Sequence, residues 1–168
     1  MARLLLVPVA LVSVLAAQAP DIHFVGTPQK VVYAMLKLAR VGPRDVVYDL
    51  GSGDGRIVII AAQLYGARGV GIEIQPDLVS LARRGAVDGG VQDRVRFVQG
   101  DLFAADISEA TVVTMWLSAA IDARLELKLK RELRRGARIV SHQFPIGSWQ
   151  PEEHVRVDGE DVFRWTVR

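Results

Sequence analysis

The chain has 168 residues, no cysteine and a formal net charge of +2. That length suits one domain with a sizeable core, and the absence of cysteine excludes disulfides, thiol nucleophiles and zinc–thiolate sites. Half the residues are hydrophobic, which argues against disorder. His23, His142 and His154 show no metal-ligand spacing, so no metal is expected. The small basic excess does not by itself call for nucleic acid.

Residues 1–20, MARLLLVPVALVSVLAAQAP, stand apart, with Arg3 as their one charged side chain. A basic start, an apolar middle and small residues at Ala16, Ala17 and Ala19 make a signal-like pattern. Pro20 disfavours cleavage after Ala19 and leaves Ala16 or Ala17. The stretch 4–19 also reads as an uncleaved membrane anchor, short of the ~20 apolar residues of a full span, or as an element packed on the domain. The domain is therefore taken as 21–168.

Next comes FVGTPQKVVYAML at 24–36. Thr27 is a natural helix N-cap and Pro28 a natural first helical residue. VVYDLGSGDGR at 46–56 then runs a buried strand, Val46–Asp49, into a turn carrying Gly51, Gly53 and Gly55. RIVIIAAQLY at 56–65 reads as the following helix. A second strand around Val70–Ile72 ends on Glu73, and residues 76–90 form a helix with Pro76 near its start. A third strand lies in RVRFVQGD and leads to Asp101. TVVTMWL is a fourth strand. DARLELKLKRELRRG is a helix with Leu125, Leu129 and Leu133 on one face. ARIVSHQF is a fifth strand, and Val155 with Phe163–Val167 forms a late hairpin. Strands alternating with helices predict an α/β fold: a Rossmann-like, doubly wound, mostly parallel sheet with a C-terminal antiparallel hairpin.

Ligands of such sheets bind beyond the carboxyl ends of the strands, where Asp49, Glu73 and Asp101 fall. The glycines are expected to let backbone N–H groups approach a ligand closely. A carboxylate after the second strand can accept both hydroxyls of a ribose. Asp49 and Asp54 would repel a pyrophosphate but tolerate a ligand that carries positive charge. A dinucleotide fingerprint needs G-x-G-x-x-G, and Arg56 occupies its third glycine position.

The run D-x-G-x-G-x-G instead resembles motif I of class I S-adenosylmethionine-dependent methyltransferases. The resemblance implies that Glu73 holds the adenosyl ribose and that Asp101, with Leu102, lies at the adenine. It extends the cofactor site to Thr27, Asp49, Gly51, Ser52, Gly53 and Ile74. Structural reading would make the glycines a simple turn and the acids ordinary surface carboxylates. Over FVGTP, VVYDLGSGDGRIVI, ARGVGIEI, DLF, TVVTMWL, KLKRELRRGARIVSHQF and the W-x-P at 149–151, the chain is similar to a narrower group. These are the small lysine methyltransferases of the ATP synthase c-subunit and adenine nucleotide translocase, with their bacterial relatives. In that group an amide side chain is expected where this chain has Asp122.

The resemblance implies in-line methyl transfer to a neutral amine, with a protein lysine as acceptor and an integral membrane protein as one candidate substrate. A small-molecule methyltransferase and a non-catalytic S-adenosylmethionine-binding module are the alternatives. Base-amine methyltransferases carry D/N-P-P-Y/F after the fourth strand. Met115-Trp116-Leu117-Ser118 stands here, so nucleic acid is not the favoured partner. Trp116 reads as a wall of the amine pocket or as a core aromatic. His142 reads as a proton acceptor or as a strand-end cap. Because S-adenosylmethionine is made in the cytosol, a membrane-associated protein with its domain on the cytoplasmic side is expected. Export after signal cleavage is the alternative.

Overall fold

The computed structural model describes residues 25–168. The apolar stretch at 1–20 and its boundary with the domain lie outside them, as does His23. In chain order the elements are α1 (Gln29–Leu38), β1 (Val46–Leu50), α2 (Arg56–Tyr65), β2 (Arg68–Glu73), α3 (Pro76–Asp88) and β3 (Val95–Gln99). They continue with β4 (Val112–Met115), α4 (Ala119–Glu132), β5 (Arg138–His142), β6 (Glu153–Val157) and β7 (Glu160–Thr166). The strands form one seven-stranded sheet in the order β3-β2-β1-β4-β5-β7-β6. The first five are parallel, and β7 enters antiparallel between β5 and β6.

Side-chain alternation explains why both faces of the central strands are apolar. Tyr48, Leu50, Val113, Met115 and Ile139 join Leu125 and Leu129 of α4 and Trp165 in one core. Their strand neighbours Val47, Val112 and Val140 join Val31, Met35 and Leu36 of α1, with Ile57 and Ala61 of α2, in another. Val79, Ala82 and Ala86 of α3 pack with Val58 and Phe97 in a third. Leu125, Leu129 and Leu133 share the first core, as their spacing requires.

The late hairpin closes through Asp158 and Gly159, both at positive φ (51° and 89°), the backbone of a two-residue hairpin turn. At the amino ends of the strands, Asp45 accepts from Thr111 Oγ1 at 2.7 Å and pairs with Arg138. Arg138 also donates to the carbonyls of Ala39 and Arg40 beyond α1. This network ties the lower rim of the sheet together.

One local expectation is corrected. Thr27 does not cap α1. Pro28 occupies the N-cap position with extended backbone (φ −56°, ψ 141°), no side chain caps the helix, and Gln29 is its first residue. Pro28 uses its fixed φ one position earlier than expected, and its carbonyl accepts the Val32 N–H at 3.0 Å. Thr27 is thereby placed at the cleft described next.

Candidate active site

After β1 the chain builds β2 and β3 on one side, then crosses to β4 on the other. The order therefore reverses between β1 and β4, the place where open α/β sheets hold ligands. A cleft of about 560 Å3 lies there, within the usual size for small-molecule sites. Of the residues expected at the site, Thr27, Asp49, Gly51, Ser52, Glu73, Ile74, Asp101, Leu102 and Trp116 line it.

The glycine turn works differently from the expectation. Gly51 and Ser52 donate their N–H groups to the Ile72 carbonyl at 2.9 and 3.0 Å, and Gly55 donates to the Ser52 carbonyl. The Gly53 N–H goes to Glu73 Oε2 at 2.9 Å. The fold has thus spent these donors, and the glycines serve shape. Gly51 and Gly55 sit at φ +76° and +79°, where a Cβ would lie 2.7 Å from Leu117 Cδ2 and 2.5 Å from Phe97 Cζ. Gly53 does not line the cleft, but its N–H goes to Glu73, which does. Ser52 Oγ is buried without a hydrogen-bond partner, close to the space a side chain on Gly71 would need.

Glu73 ends β2 and is held from both sides. Its Oε2 takes the Gly53 N–H and its Oε1 takes the Gln75 N–H, each at 2.9 Å. A carboxylate has about four acceptor positions, so two remain for a ligand. Asp101 follows β3 and accepts the Phe103 N–H on Oδ1 at 2.8 Å. Ile74, Leu78, Leu102 and Phe103 supply apolar surface between these two acids.

Asp49 pairs with Thr114 in the β1–β4 register and accepts its hydroxyl at 2.8 Å. Burial, with smaller contributions from Asp54 and Glu73, pushes the Asp49 carboxyl up to about 7 against that hydrogen bond. Asp54 is neutralised by Arg56, with Nη2 at 2.6 Å from Oδ2. Arg56 Nη1 also donates to the Thr27 carbonyl at 3.0 Å. The guanidinium occupies the space a Cβ on Gly26 would need. The arginine in the third-glycine position is thus a strap that holds residues 26–27 over the glycine turn. Sequence reasoning missed it, although its departure from the dinucleotide pattern was the available signal.

Trp116 forms part of the wall beyond β4. Its Nε1 donates to Gln143 Oε1 at 3.3 Å, and its ring lies 4.4 Å from that of His142. Gln143 holds a positive φ of 74°, a conformation a non-glycine residue keeps only when its surroundings enforce it. His142 is fully buried, and its Nε2 lies 3.2 Å from Glu160 Oε2. Burial depresses its pKa, against the Glu160 contact, so the imidazole is neutral at pH 7. It braces Trp116 from behind and has no access to the cleft. Among the described residues, no group of His, Cys, Asp and Glu is arranged for a metal ion. No helix among them is long and apolar enough to cross a membrane.

A 3-2-1-4-5-7-6 sheet, with Asp49 next to last in β1, Glu73 ending β2 and a glycine turn following β1, defines a class I S-adenosylmethionine-dependent methyltransferase. Comparison with known proteins agrees. Residues 49–153 match the model of the ANTKMT methyltransferase domain. The chain belongs to that family.

A protein-lysine N-methyltransferase of Saccharolobus islandicus is 45% identical over 83% of this chain and 87% of its own length. The adenine nucleotide translocase lysine N-methyltransferase of Mus musculus is 39% identical over 86% of this chain, which spans 61% of that relative's length. A crystal structure described as an RNA methyltransferase from Salinibacter ruber, in complex with S-adenosyl-L-homocysteine, superposes with a TM-score of 0.84 at 56% identity. That match covers 85% of this chain and 94% of the other.

Proposed function

We propose that the chain methylates the side-chain amine of a protein lysine, and that its acceptor belongs to a membrane protein. The observation that carries the amine reading is the charge of the cleft. Asp49, Asp54, Glu73 and Asp101 line it, with Arg56 as the one basic lining residue among the described residues, and Arg56 is bonded to Asp54. A cleft of that sign draws in a cation and disfavours a phosphate backbone.

The residues present fit S-adenosylmethionine. Glu73 has acceptor positions left for the two ribose hydroxyls, and Asp101 stands where the adenine amine would be reached. Ile74, Leu78, Leu102 and Phe103 provide faces for the purine. Asp49 and the strapped Thr27 would hold the positively charged methionine end. S-adenosylmethionine would supply a sulfonium methyl group, whose carbon–sulfur bond would break as the lysine nitrogen bonds to that carbon, with S-adenosylhomocysteine as the leaving group.

The chain's part is to bind, orient and exclude water. A lysine has a pKa of about 10.4 in water. Its neutral form is favoured by desolvation against Trp116 and Leu117. Trp116, bonded to Gln143 and backed by His142, would fix the direction from which the amine arrives. The apolar stretch at 4–19 supports a membrane setting, with the domain on the side that holds the cofactor.

Whole chain should be incubated with methyl-labelled S-adenosylmethionine and a membrane extract. Protease-sensitive label that hydrolyses to methyllysine is the expected result. An RNA acceptor is the second reading, favoured by the description of the Salinibacter structure. Nuclease-sensitive, protease-resistant label would establish it and refute the first.

A further inference from the structure

One buried acid lies beside the cleft and takes no part in the cofactor site. Asp122, in the first turn of α4, has no solvent exposure. Its Oδ2 lies 3.3 Å from Ser141 Oγ on β5, and its Oδ1 has no hydrogen-bond partner. Ser141 Oγ also lies 2.7 Å from the Phe144 carbonyl oxygen. A hydroxyl has one proton, and a carbonyl can only accept. The shorter contact therefore takes the serine proton. The Asp122–Ser141 contact then needs a proton of its own, which only the carboxyl can supply.

Charge placement points the same way, because a buried carboxylate with no cation beside it is costly. Cations of α4 are engaged elsewhere: Arg124 over the Phe103 ring, Lys128 and Arg131 with Glu132, and Lys130 with Glu126. Glu126 also accepts the Ser148 N–H. On β5, Arg138 is paired with Asp45 and His142 with Glu160 of β7. Neighbouring β7 also carries Asp161, paired with His154 of β6. The loop 143–148 carries no ionisable side chain. Burial raises the Asp122 carboxyl to about 7 even when the Ser141 hydroxyl is counted as favouring the ionised form.

The location gives this proton a function. Ser118 and Ile121, on the same turn as Asp122, line the cleft. Ser141 pairs with Met115, the residue before Trp116. It is followed by His142 and Gln143, which hold the Trp116 ring. We propose that Asp122 is a positioning residue that works as a neutral carboxylic acid: its O–H bond to Ser141 seats the α4 lip against the Trp116 wall, and its ionisation unseats the acceptor side of the cleft. This rests on the methyl-transfer reading above, in which Trp116 guides the amine.

The test uses the whole chain, tritium-labelled S-adenosylmethionine and detergent-solubilised membrane proteins. Asp122→Asn supplies an amide N–H in place of the acid proton and should keep the wild-type rate at about pH 6.5, below the carboxyl's shifted pKa. Asp122→Ala should lose about tenfold or more, the scale set by misplaced reactants. S-adenosylhomocysteine affinity should stay within about twofold in both, because neither variant touches the groups that would hold the cofactor. Above about pH 7, the ratio of wild-type to Asp122→Asn rate should fall by roughly tenfold per pH unit as the carboxyl ionises. In the infrared difference spectrum of wild type minus Asp122→Asn, a protonated-carboxyl carbonyl band should appear at neutral pH. A flat rate ratio, an Asn variant as weak as the Ala variant, or no such band would overturn the proposal. A wild-type chain that transfers no methyl group would count against the acceptor reading instead, and the infrared band would then decide the state of Asp122.

Discussion

Replacing Glu73 with alanine separates binding from folding. In the free protein both carboxylate oxygens accept a backbone N–H at 2.9 Å. Removing them orphans the Gly53 and Gln75 donors, at about 1–3 kcal/mol for each that stays shielded from water. The ribose contact is a separate loss. A hydrogen bond to a charged group is worth about 1.5–3 kcal/mol, or roughly 10- to 150-fold in affinity at 1.4 kcal/mol per tenfold. Glu73→Ala should therefore lower the melting temperature and weaken S-adenosylhomocysteine by at least about tenfold, at a temperature where the variant is still folded. Glu73→Gln is the control. Its amide offers one acceptor and one donor end, so either flip places N–H against N–H at Gly53 or Gln75. Calorimetric titration of folded samples reads affinity, and thermal unfolding without ligand reads stability. A destabilised alanine variant that binds within twofold of wild type would make Glu73 a clamp for the loop alone and refute its ribose role.

Other predictions concern different parts of the cleft. Asp49 titrates near 7, so S-adenosylmethionine, a cation, should bind more tightly as pH rises from about 6 to 8 and should release a proton on binding. Titrations in buffers of different ionisation enthalpy should show that release, and Asp49→Asn should abolish it. The same raised value means the native state holds the proton more tightly than the unfolded chain. Stability of the free protein should therefore fall as pH rises from about 4 to 7, with Asp122 adding to the slope, and Asp49→Asn should make the slope shallower in melting curves without abolishing it. Gly55→Ala places a Cβ 2.5 Å from Phe97 and 2.9 Å from Ala82 at φ +79°. It should cost about 2–4 kcal/mol from overpacking and backbone strain together, read by urea unfolding. Trp116→Ala should reduce turnover more than cofactor affinity, and equal losses in both would point to a cofactor contact instead.

Much of the scaffold was legible because its signals are local. Apolar runs with β-branched residues gave β1, β4 and β5, and the helix at 56–65 was read to the residue. Glu73 and Asp101 could be placed at the cleft they line because carboxyl ends of parallel strands are predictable places. The glycine turn was located correctly, but its purpose was not. Whether an N–H is available depends on where the neighbouring strand puts its carbonyl, here Ile72, and no local pattern reveals that. Thr27 and Pro28 gave a sound capping signal that the fold used one position differently. The roles of Arg56, Ser141 and Gln143 escaped notice because their partners, Thr27, Asp122 and Trp116, lie 29, 19 and 27 positions away. Asp122 was singled out by a family expectation, and its buried state could only be read from the packed structure.

The antiparallel β7 has a practical consequence. Thr166 pairs with Arg138, the first residue of β5, while Val162 pairs with His142 beside the Trp116 wall. The polypeptide after Thr166 therefore leaves the sheet at the rim opposite the cleft, where Val167 exchanges backbone hydrogen bonds with Gly136 and Ala137. An affinity handle joined after Arg168 would anchor the molecule by its base and leave its reactive face toward solution. Immobilised this way, the protein could be used as bait for its own acceptor, whereas trimming back past Val167 would pull on the sheet itself.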